Sequence, residues 1–243
     1  MDIYSSIISG TEKGAKKFAV LIDPDKNTLS SLKKIIALSN KSGVDFFFFG
    51  GSLLTSDSLD RFILFLKENS DIPVILFPGN SLQVNCNADG ILLLSLISGR
   101  NPDMLIGKHV ISAPFLKASK LEILPTGYML VESGRLTTVA YMSNTVPIPA
   151  NKPEIAVCTA MAGEMLGLRL IYMDAGSGAQ HPIPLEMIRQ VRNAVEVPLI
   201  IGGGITSAEA VKDAAKAGAD IIVAGNAFES KPELIPVLSN AIR

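Results

Sequence analysis

Short apolar runs punctuate this chain at nearly regular intervals. They are FAVLID (18–23), DFFFFG (45–50), PVILFP (73–78), GILLLS (90–95), GYMLVE (127–132), LIYMD (170–174), PLIIGGG (198–204) and DIIVAG (220–225). Their apolarity is continuous rather than alternating, the pattern of parallel strands covered on both faces. The segments between them carry helical periodicity. In NTLSSLKKIIALSNKSG, Leu29, Leu32 and Ile36 share one face, and Gly43 stands where the helix should stop. PLEMIRQVRNAV sets Pro184 in a first helical turn with Leu185, Ile188 and Val191 facing inward. TSAEAVKDAAKAG opens with Thr206 and Glu209 at capping-box spacing and ends at Gly218. Eight strands alternating with helices over residues 1–243, without a break in composition, predict an α/β fold of one domain, a (β/α)8 TIM barrel. An open doubly wound sheet is the competing architecture.

One connection departs from the pattern. GNSLQVNCNAD (79–89), between the third and fourth strands, is polar and too short for a helix with two loops. The third helix is therefore expected to be replaced by a short irregular or strand segment. The uncovered wall would be filled by a partner subunit or would serve as a groove for something apolar.

Composition narrows the function. The 243 residues are 48% hydrophobic and nearly neutral, Lys+Arg 22 against Asp+Glu 23, with no basic block; nucleic acid is not expected as a partner. Cys86 and Cys158 lie outside any C-x-x-C spacing, which argues against a zinc site or disulfide framework and for a reducing, cytoplasmic setting. MDIYSSIISGTEKG lacks the apolar core of a signal peptide, and no run reaches the roughly 18 apolar residues of a spanning helix.

The strand ends carry the candidate chemistry. In a barrel, phosphates usually sit beyond the seventh and eighth strands. Here those ends read GGGIT (202–206) and AGNA (224–227), and AGSG (175–178) follows the sixth. Gly203, Gly204, Gly225 and Asn226 can bring backbone N–H groups to a phosphate, helped by the helix that opens near Thr206. Gly176, Ser177 and Gly178 would line the neighbouring wall. Asp23, held extended by Pro24, projects into the mouth, where a carboxylate facing phosphate requires a cation between them. Mg2+ commonly uses one carboxylate and completes its shell from water and phosphate oxygens; Ser52 could add an oxygen. Asp25 is expected to cap or solvate the following helix. Phe46 to Phe49 read as strand core, with one ring available to touch an apolar ligand. Glu132 is a candidate to line the mouth or orient a cation. His109, in a helix, and His181, in a loop, have no partner at metal-ligand spacing.

The motifs LIDPDK, GGSLLT, LPTGYMLVESG, YMDAGSGA, IGGGI and AGNAFE, in this order and nearly end to end, resemble geranylgeranylglyceryl phosphate synthases and their bacterial heptaprenyl relatives. The segment NPDMLIG (101–107) resembles the family's larger-oligomer branch, which implies a homo-oligomer, dimer or hexamer. The resemblance implies transfer of a polyprenyl group, geranylgeranyl by preference, from its diphosphate to the 3-hydroxyl of sn-glycerol 1-phosphate. It assigns Mg2+ to Asp23 and Ser52. Glycerol phosphate falls to Tyr172, Met173, Asp174, Ala175, Gly176, Ser177, Gly178, Gly203, Gly204, Gly225 and Asn226. The prenyl chain runs along the helix-poor side. An ether-lipid product also implies peripheral membrane contact for its release. Two positions depart from the family's pattern. Asp174 stands where Glu often stands, one methylene shorter, and Met104, the candidate determinant of chain length, stands where an aromatic residue often does. Asp174 would orient the glycerol hydroxyl and take its proton. The absence of a D-D-x-x-D pair separates the chain from helical prenyl synthases. A sugar-phosphate isomerase or epimerase, and a non-catalytic phosphate-ligand sensor, are the alternatives.

Overall fold

The computed structural model describes residues 2–56, 58–80 and 83–243. Eight parallel strands close in sequential order: β1 (Lys17–Ile22), β2 (Phe46–Phe49), β3 (Val74–Leu76), β4 (Gly90–Leu96), β5 (Glu122–Leu130), β6 (Leu170–Asp174), β7 (Leu199–Gly202) and β8 (Ile221–Ala224). Pairing of β1 with β8 seals the barrel and rules out the open sheet. The helices are α1 (Ile3–Glu12), α2 (Leu29–Ser42), α3 (Leu59–Asn69), α4 (Lys108–Ala118), α5 (Thr138–Ser143), α6 (Pro153–Met165), α7 (Leu185–Ala194), α8 (Ala208–Ala217), α9 (Asn226–Ser230) and α10 (Leu234–Ser239). Among the described residues, no helix is long and apolar enough to cross a membrane.

Side chains alternate across each strand, so the barrel wall divides the core in two. Ala19, Phe46, Phe48, Ile75, Leu92, Leu124, Tyr172, Ile200 and Val223 fill the interior. Phe18, Phe47, Phe49, Met173, Leu199 and Ile222 pack outward under the helices. Helix α1, which the sequence pattern did not announce, belongs to the interior: Ile3 and Ile7 close the barrel's N-terminal end. Its first turn is capped twice. The Asp2 carboxylate accepts from the Ser5 N–H, and Glu122, at the start of β5, accepts from the Ile3 and Tyr4 N–H groups. That task explains why β5 begins at Glu122, five residues before the expected run, despite Pro125.

Other boundaries shift for physical reasons. Thr206 and Glu209 form no capping box; Ser207 is the cap, its hydroxyl accepting from the Ala210 N–H at 3.1 Å. Pro184 precedes α7 as its cap residue rather than standing in the first turn. The connection from β3 to β4 carries no α-helix among the described residues, as expected for 79–89, although Ser81 and Leu82 lie outside them. In place of a helix the segment inserts Gln83, which is 3% exposed. Its Oε1 accepts from the Gly79 N–H at 3.2 Å and its Nε2 donates to the Gly51 carbonyl at 2.9 Å. The irregular segment is thereby tied across the end of β2.

Candidate functional site

Strand β6 delivers Asp174 to the C-terminal mouth of the barrel, 7% exposed. Tyr128, two residues before the inward end of β5, reaches across, and its hydroxyl donates to Asp174 Oδ2 at 2.5 Å. The Gly176 N–H donates to Oδ1 at 2.8 Å. Burial raises the Asp174 pKa, and the two hydrogen bonds oppose that rise. The Tyr128 phenol is pushed well above its usual range, by burial first and then by the Asp174 charge, so it remains a donor. Gly203 follows β7 with φ +79°, and a Cβ there would lie 2.7 Å from both Asp174 Oδ1 and the Ala175 nitrogen. Only glycine lets the β7 loop run this close to the carboxylate.

Asp174 lines a polar cavity with Gly176, Ser177, Gly178, Gly203, Gly204, Gly225 and Asn226, three strand ends that the sequence grouped. The Ser177 hydroxyl and the Asn226 amide bond each other at 3.0–3.1 Å, closing β6 onto β8. Tyr172 contributes from below. Met173 and Ala175 were expected in the same set, but alternation turns both side chains outward into the layer beneath the helices.

The opposite wall comes from the first two strand ends. Asp23 is extended (φ −90°, ψ 115°), and its Oδ1 accepts from the Asp25 N–H at 3.1 Å. Burial dominates the rise of its pKa, against the Asp25 N–H and the Lys26 charge. Lys26 was not singled out from the sequence, yet its Nζ sits 3.6 Å from Asp23 Oδ2, 3.2 Å from Glu229 Oε1 and 3.3 Å from Ser177 Oγ. The short 3₁₀ turn Pro24–Lys26 folds it back over the mouth, a placement that the DPDK spacing could have signalled. Asp25 does not cap a helix. It accepts from the N–H and hydroxyl groups of Thr55 and Ser56, fastening the loop after β2 to the loop after β1. These bonds outweigh its slight burial and hold its carboxyl below the usual range.

Ser52 lies on that fastened loop and lines the cavity with Asp23. A Cβ on the adjacent Gly51 would come 3.4 Å from the Asp23 carboxylate, so the β2 loop passes directly beside it. No group of three or more His, Cys, Asp or Glu able to hold a metal occurs among the described residues. The donor set therefore fits a hard cation taking one carboxylate, with water and ligand oxygens completing the shell, and does not fit a closed all-protein site.

A second, apolar cavity joins the first: Gly51, Ser52, Phe77 and Val139 line both. It runs past Val84, Ile91, Leu93, Met104 and Leu116, on the side where the β3–β4 connection shows no α-helix among its described residues. Met104, in the π-turn Asp103–Gly107, stands on its wall as expected. His109 lines it too, bonded through Nε2 to Ser95 Oγ at 3.2 Å, and burial lowers its pKa. None of Phe46 to Phe49 lines either cavity; Phe77, stacked on Tyr172 at 5.3 Å, provides the aromatic contact instead. Glu132 is exposed, its N–H spent on the Ile148 carbonyl, and it borders neither cavity. His181 is likewise outside both.

The PcrB family matches residues 11–240. A geranylgeranylglyceryl phosphate synthase of Spirosoma linguale is 56% identical over 95% of this chain and 92% of its own. One from Pyrococcus abyssi is 42% identical over 90% and 86%. The crystal structure of (S)-3-O-geranylgeranylglyceryl phosphate synthase from Thermoplasma acidophilum, in complex with substrate sn-glycerol-1-phosphate, superposes with a TM-score of 0.94 at 32% identity, covering 100% of this chain and 98% of that one. Thiamine phosphate pyrophosphorylase from Pyrococcus furiosus, at 15% identity and TM-score 0.58, shares the fold alone.

Proposed function

The chain belongs to the PcrB family, and from that premise we propose that it is a cytoplasmic, Mg2+-dependent prenyltransferase making an ether-lipid precursor. It joins a polyprenyl group, geranylgeranyl by preference, to the 3-hydroxyl of sn-glycerol 1-phosphate. The observation that carries this reading is the junction of two unlike cavities, one polar around a buried carboxylate and one apolar, across Gly51, Ser52, Phe77 and Val139. A sugar-phosphate isomerase has no use for the apolar trough, and a sensor has none for Asp174.

The chain's own groups divide the work. Gly203, Gly204, Gly225, Asn226 and Ser177 hold the phosphate of glycerol phosphate. Asp174, kept by Tyr128 and the Gly176 N–H in one orientation, accepts a hydrogen bond from the 3-hydroxyl. Its pKa, lifted by burial, moves toward the range a general base needs. The bond between the allylic carbon and the diphosphate oxygen breaks as the glycerol oxygen forms the ether bond. The hydroxyl proton passes to Asp174, and pyrophosphate leaves. Asp23 and Ser52 would hold Mg2+, which when bound supplies charge neutralisation to the leaving group. The trough buries the prenyl tail and keeps water from the reacting carbon.

Self-association is part of the proposal. Ile106, Val110, Ile111 and Phe115, all 60–68% exposed, leave an apolar outer surface on the segment that also walls the trough. Such a surface supports a homo-oligomer; as the competing use, the peripheral membrane contact, it would leave a monomer in light scattering. The activity is tested by incubating the purified protein with MgCl2, each glycerol phosphate enantiomer and a series of prenyl diphosphates, with mass-spectrometric detection. Ether product from sn-glycerol 1-phosphate is expected. No ether product from any pair would overturn the reading.

A further inference from the structure

Four carboxylates line the polar cavity, those of Asp23, Asp25, Asp174 and Glu229, and Lys26 brings the one ammonium among its described lining residues. Two of the four are committed elsewhere. Asp25 accepts from Thr55 and Ser56, and Asp174 from Tyr128 and Gly176. Asp23 and Glu229 both face Lys26. The ammonium thus bridges the segments after β1, β6 and β8, touching Asp23, Ser177 and Glu229.

We propose that Lys26 is a substrate-binding residue that leaves Asp23 for the phosphate of the acceptor, so that phosphate binding and cation binding strengthen one another. This rests on the reading of Asp23 as the cation's carboxylate and of Ser177–Asn226 as part of the phosphate cup. Lys26 Nζ already lies within hydrogen-bonding reach of Ser177 Oγ, at the edge of that cup. A phosphate monoester carries denser negative charge than the Asp23 oxygen 3.6 Å away, and it offers three acceptor oxygens. A divalent ion on the same Asp23 oxygen would face the ammonium across a few ångströms, where like charges repel. Phosphate draws the ammonium aside; the Glu229 partner, on α9, keeps it in the mouth. Because the coupling is thermodynamic, whatever factor the phosphate contributes to cation affinity must be returned to phosphate affinity.

The test uses full-length protein, sn-glycerol 1-phosphate and Mn2+ as the cation probe. Calorimetry follows glycerol phosphate, and the electron-spin signal of free Mn2+ follows the metal. Wild type should bind Mn2+ about fivefold or more tightly once glycerol phosphate is present, a coupling of the usual size. Lys26→Met should bind glycerol phosphate at least tenfold more weakly without metal. It should bind Mn2+ more tightly than wild type without phosphate, and should lose most of the coupling. Lys26→Arg should restore phosphate affinity in part. Unchanged phosphate affinity and unchanged coupling in Lys26→Met, with Mn2+ binding still lost in Asp23→Asn, would overturn the inference and leave the function standing. Mn2+ binding that survives Asp23→Asn unaltered would overturn the metal assignment and the exchange with it.

Discussion

Asp174 is a carboxylate kept where its charge is disfavoured, and the consequences can be measured at a single residue. Burial raises its folded pKa above the unfolded value of about 3.8. Such a group favours the folded state at low pH, and that contribution is lost as pH rises through the folded pKa. Asn at this position can accept from the Gly176 N–H through its oxygen and donate to the Tyr128 oxygen through its nitrogen, without charge. Asp174→Asn should therefore melt no lower than wild type at neutral pH, with an advantage that shrinks as pH falls toward 4, while kcat drops about 10²-fold or more. Melting curves across pH, paired with turnover assays, check both signs. Tyr128→Phe removes a hydrogen bond that lowers the Asp174 pKa, so the acid limb of kcat/KM against pH should move upward. An unmoved limb would detach Asp174 from proton transfer. Asp174 was legible in the sequence because an apolar strand ended on it before paired glycines. Tyr128 was not, because its partner arrives from a strand 46 positions away in sequence; for Lys26 only the local DPDK spacing carried a signal, since Ser177 lies 151 positions away.

Among the elements, the barrel strands were legible wherever burial on both faces produced unbroken apolar runs. Legibility failed where an element serves a polar task. The early start of β5 carries Glu122 to the α1 cap, and α1 itself has only two buried side chains, Ile3 and Ile7, to mark its face. That the connection from β3 to β4 carries no α-helix among the described residues was visible as a shortage of residues, but not what ties it down. Gln83 does that by tying Gly79 to Gly51, and so it holds the loop that carries Ser52 from one side while Asp25 holds it from the other. Gln83→Met keeps the length and apolar stem but leaves the Gly79 N–H and the Gly51 carbonyl without this partner. Denaturant titration should show a loss of about 1 kcal/mol, since the two backbone groups left unpaired are partly buried. The KM for prenyl diphosphate should rise more than that for glycerol phosphate, since the loop disturbed is the one between the two cavities. An equal rise in both would mean that the segment is a general strut.

Across the whole molecule, the proposed prenyl-binding role of the trough makes its geometry the expected limit on chain length. The connection from β4 to β5 must return from the barrel mouth to its opposite end, so α4 runs antiparallel to the strands. Lys108, Ser112 and Leu116 recur every four residues along it, Met104 stands four residues earlier on the π-turn, and all four line the apolar cavity. At 1.5 Å per residue, α4 carries the wall about 12 Å from Lys108 to Leu116, and Met104 stands above them on the π-turn. If the trough holds the tail as proposed, the single length-determining residue expected from the sequence is replaced by a graded wall, with Met104 at its upper end rather than its floor. A bulky side chain should truncate the accepted tail at whatever depth it is introduced. Leu116→Trp should discriminate only against the longest prenyl diphosphates and Ser112→Phe against intermediate ones. Met104→Trp should favour the shortest, because a flexible thioether that can step aside is replaced by a fixed ring. Met104→Ala, by widening the entrance alone, should speed long substrates without shifting the upper limit that the lower wall imposes. Relative kcat/KM across diphosphates of increasing length reads this order. Glycerol phosphate affinity, which depends on the other cavity, should stay constant through the series. A length profile identical in all four variants would remove the tail from this trough. A reversed order would mean that the tail enters from the bottom, with the diphosphate far from Asp23, and the two-cavity junction could not then be the reaction centre.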